Sequence, residues 1–326
     1  CIASRRLDCV FGVARLISSA RTRLAKIGPG WKRKTRLPPS SMRMFVPVMS
    51  AEAARKVAGQ LAERLGVEPT RKAIAAVPVG RLLQAQAELK ADLMAHPDPE
   101  RWGNEVVLDL LPWQPVIDGD VVPARPIDRI VAGAGADVDL MAGATTEEWN
   151  FFLVPNGAIE QIPGEALTGA IAAYALPAGA TLVTYRTARP GAGAGDLLSA
   201  IQGDRLFRIP VLRLAEAHTQ NSSATYMYEF AWRSPQFGGR LGACHGAEIA
   251  FVFDALGDGT EPLAGPNPPQ RLADTMHAAW VAFARNGDPG WPRYDLTRRA
   301  TMRFDTRSEV VDDPRSTERM LWEGVR

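Results

Sequence analysis

Short apolar runs that read as strands alternate with longer stretches of helical periodicity, and this alternation constrains the fold more than any other feature of the chain. Val138-Asp139-Leu140-Met141 is one such run, ending at Gly143. Ala224 to Trp232 is another, with Tyr226, Tyr228 and Phe230 on one face, and Thr301 to Val311 is a further strand. Amphipathic segments lie around them. Ser50 can cap a helix that carries Val57, Leu61 and Leu65 on one side and stops at Gly66. A helix follows from Val79 to about Leu93, through Leu82, Leu83 and Leu89. Leu272 to Arg285 continues the pattern through Met276, Trp280 and Phe283, closed by Asn286-Gly287. Strands separated by long helices predict an α/β protein.

With 326 residues, of which 46% are hydrophobic and 23% charged, the chain can bury a large core. Three cysteines exclude a disulfide scaffold. No window approaches ~18 uninterrupted apolar residues, so a membrane-spanning helix is not expected. The net charge of +2 gives no general reason to expect nucleic acid. It hides a strong asymmetry, however. Residues 1–45 hold eleven basic residues against the single acid Asp8, a charge of +10, while the rest has 27 bases and 35 acids. A basic arm for nucleic acid or anionic lipid and a targeting peptide are the functional readings of that stretch. The favoured reading is that residues 1–47 are foreign to the fold, and that residues 48–326 form the folded portion. Val13 to Phe45 has no sustained periodicity, and Gly28-Pro29-Gly30 and Pro38-Pro39 break it further. The chain opens on Cys1 rather than Met and reads as a fragment. No charged n-region, apolar h-region and cleavage site are visible, which leaves the cytoplasm as the default compartment.

Four histidines are candidates for chemistry. His96 sits in a Pro/Asp loop, His277 lies on a helix near core positions, and His218 ends a helical run where it can meet the last carbonyls. None has metal-ligand spacing with another His or Cys, so no metal is expected. The glycine run 191–195 is not followed by a Lys-Ser/Thr pair, and reads as a flexible surface loop rather than a phosphate cradle. His245 differs in its surroundings, Gly242-Ala243-Cys244-His245-Gly246-Ala247-Glu248-Ile249-Ala250-Phe251-Val252-Phe253. Small neighbours and Gly246 allow a tight turn that leaves the ring exposed. Adjacent side chains point apart, so Cys244 reads as a small buried hydrophobe, not a thiol nucleophile.

The run from Gly242 to Phe253 resembles the histidine loop of type-B carboxylesterases, the cholinesterase-like branch of the α/β-hydrolases. Trp113 to Pro123 is similar to that family's W-x-P-V-x-D-G turn. Leu140 to Leu153, containing Thr146-Glu147-Glu148-Trp149-Asn150-Phe151-Phe152, is similar to its acid loop. Asp204, Phe207 and Pro210 match a D-x-x-F-x-x-P helix, and Trp280 to Tyr294 matches the C-terminal helix and turn. These segments occur in the family's order, from about Val48 to Trp322. The resemblance implies an α/β-hydrolase fold, truncated so that its N-terminal strands are missing. It implies a carboxylic ester as substrate, an acyl-serine mechanism, and no metal or cofactor. His245 would be the general base and Glu148 the acid that orients it, with Glu147 the second choice for that acid. Trp149, Phe151 and Phe152 suit either a pocket wall or core packing.

No Gly-x-Ser-x-Gly occurs in the chain. That motif holds a nucleophilic serine in a strained strand-to-helix turn. Val10-Phe11-Gly12 looks like the strand entering such a turn, but the chain then reads Val13-Ala14-Arg15-Leu16. The expectation is a reading-frame disturbance in the coding DNA between about Gly12 and Val48, which would also explain the isolated basic charge. Residues 6–12 would then form an exposed apolar sheet edge, which invites aggregation. A chain without the serine is expected to be inactive as an esterase. The alternative is a non-catalytic, cholinesterase-like binding module.

Overall fold

The Ser50 hydroxyl accepts a hydrogen bond from the Ala53 amide at 3.2 Å and starts helix α1, Ala51–Leu65, as its place before an amphipathic run predicts. Gly66, in the left-handed conformation, ends it. In this computed structural model, which describes residues 48–257 and 259–325, the chain divides into two compact units, with described residues 48–132 in one and 133–325 in the other. In the smaller unit, α1 packs with α2, Val79–Ala95, around Met49, Val57, Leu89, Leu93, Trp102 and Val106. Leu89 and Leu93 are buried as their spacing suggests, whereas Leu83 is 61% exposed. Strand β1, Met49–Ser50, pairs in parallel with β2, Val116–Ile117, inside the stretch likened to the W-x-P-V-x-D-G turn.

The larger unit holds a sheet in the order β3-β4-β5-β6. Strands β3 (Leu140–Thr145), β4 (Thr225–Phe230) and β5 (Ala300–Phe304) run parallel, and β6 (Glu309–Asp312) is antiparallel to β5. Parallel neighbours require long crossovers. Between β3 and β4 the chain runs through α3 (Gly164–Ala173), α4 (Ala178–Ala188), α5 (Ala194–Gly203) and α6 (Ile209–His218). A π turn, Asp204–Arg208, joins α5 to α6. Between β4 and β5 lies α7, Gln270–Asn286, which Gly287 stops as predicted. The alternating aromatics of β4 bind α7 to the sheet. The Tyr228 ring lies 4.8 Å from that of Trp280, and the Tyr226 ring 5.9 Å from that of Phe283. Phe230, Phe251 and Phe304 complete a fully buried aromatic core. No helix among the described residues is long and apolar enough to cross a membrane.

Several sequence expectations need correction. Thr301 to Val311 is two strands of a hairpin rather than one. Strand β3 does not end at Gly143 but passes through it to Thr145. A Cβ at Gly143 would overlap the Tyr228 carbonyl and ring on β4, so the glycine permits close pairing rather than a stop. The glycine run is not a loose surface loop throughout. Gly193 caps α5, and Gly195 is buried within that helix, where a Cβ would strike the Ile159 carbonyl. His218 does not cap its own helix. Its Nε2–H donates to the Val138 carbonyl at 2.9 Å, and its Nδ1 meets the Thr225 hydroxyl at 2.7 Å. The readings placed on residues 1–47, including the apolar edge, the basic arm and the frame disturbance, lie outside the described residues.

Because backbone cannot yield as a flexible side chain does, Gly195→Ala is expected to destabilise the protein by about 1–3 kcal/mol. Gly169→Ala, on an exposed and open face of α3, is expected to be neutral or to stabilise by up to ~1 kcal/mol. Urea unfolding of the two variants checks the contrast, and equal effects would refute it.

Candidate active site

Both halves of the site leave the carboxyl ends of neighbouring parallel strands. The six-residue register from Leu140 opposite Thr225 to Thr145 opposite Phe230 sets the two following loops side by side. The Thr146 amide extends the pairing by donating to the Phe230 carbonyl at 2.9 Å. The Glu147 amide then donates to the Ala243 carbonyl at 3.0 Å, and the His245 amide to the Glu148 carbonyl at 3.3 Å. The acid turn and the histidine loop are therefore joined by backbone before any side chain acts.

Glu148 is 5% exposed. Its Oε1 accepts from the Thr145 amide at 2.7 Å, and its Oε2 lies 2.6 Å from His245 Nδ1. A carboxylate there requires the proton on Nδ1, which leaves Nε2 of a neutral ring as an acceptor. The His245 side chain is 45% exposed, so the ring is anchored at one nitrogen and accessible elsewhere. Burial favours its neutral form. The Glu148 hydrogen bond and charge, with the charge of Glu248, outweigh that effect and raise the imidazole pKa above its ordinary value.

Glu147 does not face the imidazole. Its Oε2 accepts from the Ala243 amide at 2.8 Å, and its other oxygen pairs with Arg233. Gly242, at a φ of 62°, lets the backbone come against this carboxylate, because a Cβ there would overlap it. Glu147 thus pins the start of the histidine loop. Gly246, at a φ of 76°, makes the turn just after the histidine. Cys244 is fully buried, as expected of a small hydrophobe.

An aromatic wall surrounds the ring. The Phe207 ring centroid is 4.8 Å from that of His245, Phe152 is 5.8 Å away and Phe151 6.3 Å. Phe207 comes from the π turn, a departure from regular helix that recurs at functional sites. Trp149 touches Phe152 and Phe207 instead of the imidazole. The other histidines lie elsewhere: His96 pairs with Asp92, and His277 Nδ1 donates to the Val252 carbonyl. Among the described residues, no group of three or more His, Cys, Asp or Glu is placed to hold a metal ion.

Sequence reasoning missed Glu248, three residues beyond His245. Its Oε2 is buried without a hydrogen-bond partner. Burial, and then the charge of Glu148, push its pKa up to about 7. The only hint in the sequence was its place in the histidine run.

The model of the carboxylesterase family matches residues 39–322. The para-nitrobenzyl esterase of Bacillus subtilis (strain 168) is 27% identical over 258 residues, which cover 74% of this chain and 49% of that protein. The phenmedipham hydrolase of Pseudarthrobacter oxydans is 27% identical over 203 residues, 56% of this chain and 38% of that one. This chain therefore spans less than half the length of either relative. The carboxylesterase EST55 of Geobacillus stearothermophilus superposes with a TM-score of 0.69 at 26% identity, covering 85% of this chain and 56% of its own. Its fold is the α/β-hydrolase fold that the resemblance implies, and it agrees with the α/β class read from the strand and helix order. With the family model spanning 284 residues and the sheet matching a solved carboxylesterase, the chain belongs to the carboxylesterase family.

Proposed function

We propose that His245 and Glu148 are the base and acid of a carboxylic ester hydrolase site, and that this chain by itself lacks the nucleophile to complete it. The 2.6 Å contact between His245 Nδ1 and Glu148 Oε2 carries the reading. In that arrangement Nε2 removes a proton from a serine hydroxyl as the oxygen attacks the ester carbonyl. The imidazolium so formed is stabilised by Glu148, whose second oxygen is fixed by the Thr145 amide. The same proton is then delivered to the leaving alcohol, and an acyl-serine remains for water to hydrolyse. Phe207 and Phe152 supply an apolar flank for the ester. The chemistry needs a serine in a Gly-x-Ser-x-Gly elbow, and none of the 326 residues forms that motif. The same absence favours a second reading, in which the aromatic flank binds an ester without turning it over.

The purified chain is expected to hydrolyse p-nitrophenyl acetate no faster than an equal concentration of imidazole. Turnover abolished by His245→Ala would uphold the pair and refute the inactivity. Turnover that survives His245→Ala would refute the pair.

Two further outcomes follow from the electrostatics. Glu148→Gln removes a charge and the acceptor that hold the imidazolium, so the His245 pKa, followed by NMR, should fall. An unchanged value would break the link between them. Glu248 has the opposite sign of linkage from an ordinary paired carboxylate. Its folded pKa is raised from 4.5 to about 7, so the folded state binds more protons than the unfolded state between those values. Its contribution to stability is full below the ordinary carboxyl pKa and is lost as pH rises through about 7. Glu248→Gln should therefore stabilise the protein by an amount that grows across that window, to on the order of 1–3 kcal/mol. Urea unfolding at a series of pH values tests this, and a pH-independent difference would contradict it.

A further inference from the structure

Asp204, Phe207 and Pro210, the residues of the D-x-x-F-x-x-P segment, fall in and just after the single distorted turn between α5 and α6. Pro210 has no amide to donate, and its ring crowds the carbonyl four residues back, that of Leu206, so a regular helix cannot run through it. The turn widens instead. The Asp204 carbonyl accepts from the Ile209 amide five residues on, which is the π pattern.

One side of this turn lies in a cluster of ion pairs. Asp204 is 2% exposed and accepts from Arg208 Nε at 2.6 Å and from Arg208 Nη2 at 2.8 Å, so this pair straps the turn from one end to the other. Tyr185, fully buried on α4, donates its hydroxyl to Asp204 at 2.6 Å, and that hydroxyl in turn accepts from Trp322 Nε1 at 3.1 Å. Arg315 Nη1 lies 3.6 Å from the same carboxylate. The far end of α6 is tied down as well, because His218 reaches the Val138 carbonyl and the Thr225 hydroxyl.

Phe207 leaves the same turn in the other direction, toward the site. Its ring is the nearest of the three phenylalanines to the imidazole, 4.8 Å away and tilted by 45°. The residue just before the turn packs on the acid: a Cβ at Gly203 would lie 3.8 Å from the Glu148 Cβ. The hydrogen bond from His245 Nδ1 to Glu148 fixes one end of the imidazole. A single hydrogen bond leaves the ring free to swing about that end, and an aromatic ring held against it limits the swing.

We propose that Asp204 is a positioning residue for His245: by anchoring the widened turn it holds Phe207 against the imidazole, and so sets the direction in which Nε2 points. A general base works only within hydrogen-bond reach of the proton it takes, so the direction of Nε2 decides whether the ring can serve as one. The motif then divides its labour. Pro210 widens the turn, Asp204 anchors it and Phe207 carries the effect to the ring. The role rests on the reading of His245 as the base, but its test needs no turnover.

NMR of the full chain, with isotope-labelled histidine rings and the His245 signals assigned through His245→Ala, follows the imidazole directly. Phe207→Leu sets the scale. Losing the aromatic ring removes its ring current and admits water, so the carbon-bound proton resonances of His245 move. The His245 pKa rises, because burial is what lowers it against the charges of Glu148 and Glu248, which face it. Asp204→Asn and Tyr185→Phe are expected to move the same resonances in the same direction, by less. Tyr185→Phe changes no charge, so a rise in the His245 pKa there reports the ring's surroundings and not the field. Circular dichroism identifies a variant that fails to fold. If Asp204→Asn does so by leaving Arg208 and Arg315 underpaired, Tyr185→Phe decides. A role confined to stability would lower the urea midpoint of the folded variants and leave the His245 resonances and pKa unchanged, and that result would overturn the proposal. So would a shift in Tyr185→Phe with none in Phe207→Leu, because Phe207 would not be the link. The reading of the pair fails on a different result, a His245 pKa indifferent to Glu148→Gln.

Discussion

The parallel pairing of β3 with β4 is the constraint on which the site depends. In this register the turn after Thr145 and the loop that carries His245 run close enough to exchange two backbone hydrogen bonds, beyond the one by which Thr146 extends the strand pairing. Gly143 is what permits it, because any larger residue would collide with Tyr228 on the neighbouring strand. The site's rigidity is thus inherited from the sheet. Glu148 need not search for the imidazole, since the backbone has already delivered it.

Charge is handled in two ways in the larger unit. Around His245, two carboxylates, Glu148 and Glu248, share the neighbourhood of one imidazole. Glu148 is held by the imidazole and the Thr145 amide, while Glu248 is driven toward the protonated form by burial and by Glu148. Around Asp204, two guanidiniums, those of Arg208 and Arg315, meet one buried carboxylate. The two neighbourhoods are linked through the π turn, which sends Phe207 to the imidazole ring and Asp204 and Arg208 into the ion cluster. One local departure from regular helix therefore serves both, by letting successive residues point to different surroundings.

Much of the architecture was legible in the chain. The caps at Ser50, Gly66 and Gly287 are local hydrogen-bonding and backbone effects, so the ends of α1 and α7 could be read from a few residues. The aromatic alternation in β4 was equally plain, because period two is imposed by the strand itself. The errors came where a neighbour overrode a local signal. Gly143 looked like a stop but is a close contact, and Gly195 looked like loop but lies in the first turn of α5, packed on Ile159. His218 looked like a cap for its own helix but reaches across to Val138 and Thr225.

By itself the sequence determined the alternation of strands and helices, the family's loops in their order, and the absence of a Gly-x-Ser-x-Gly serine. Those follow from periodicity and residue type, which are properties of short segments. The tertiary structure alone decided that Glu148 faces His245 while Glu147 pins the loop, that Glu248 is sealed nearby, and that Arg208 and Tyr185 both hold Asp204. Adjacent side chains leave the backbone in different directions, and whether each meets water, an amide or another charge is set by segments up to about a hundred residues away in the chain.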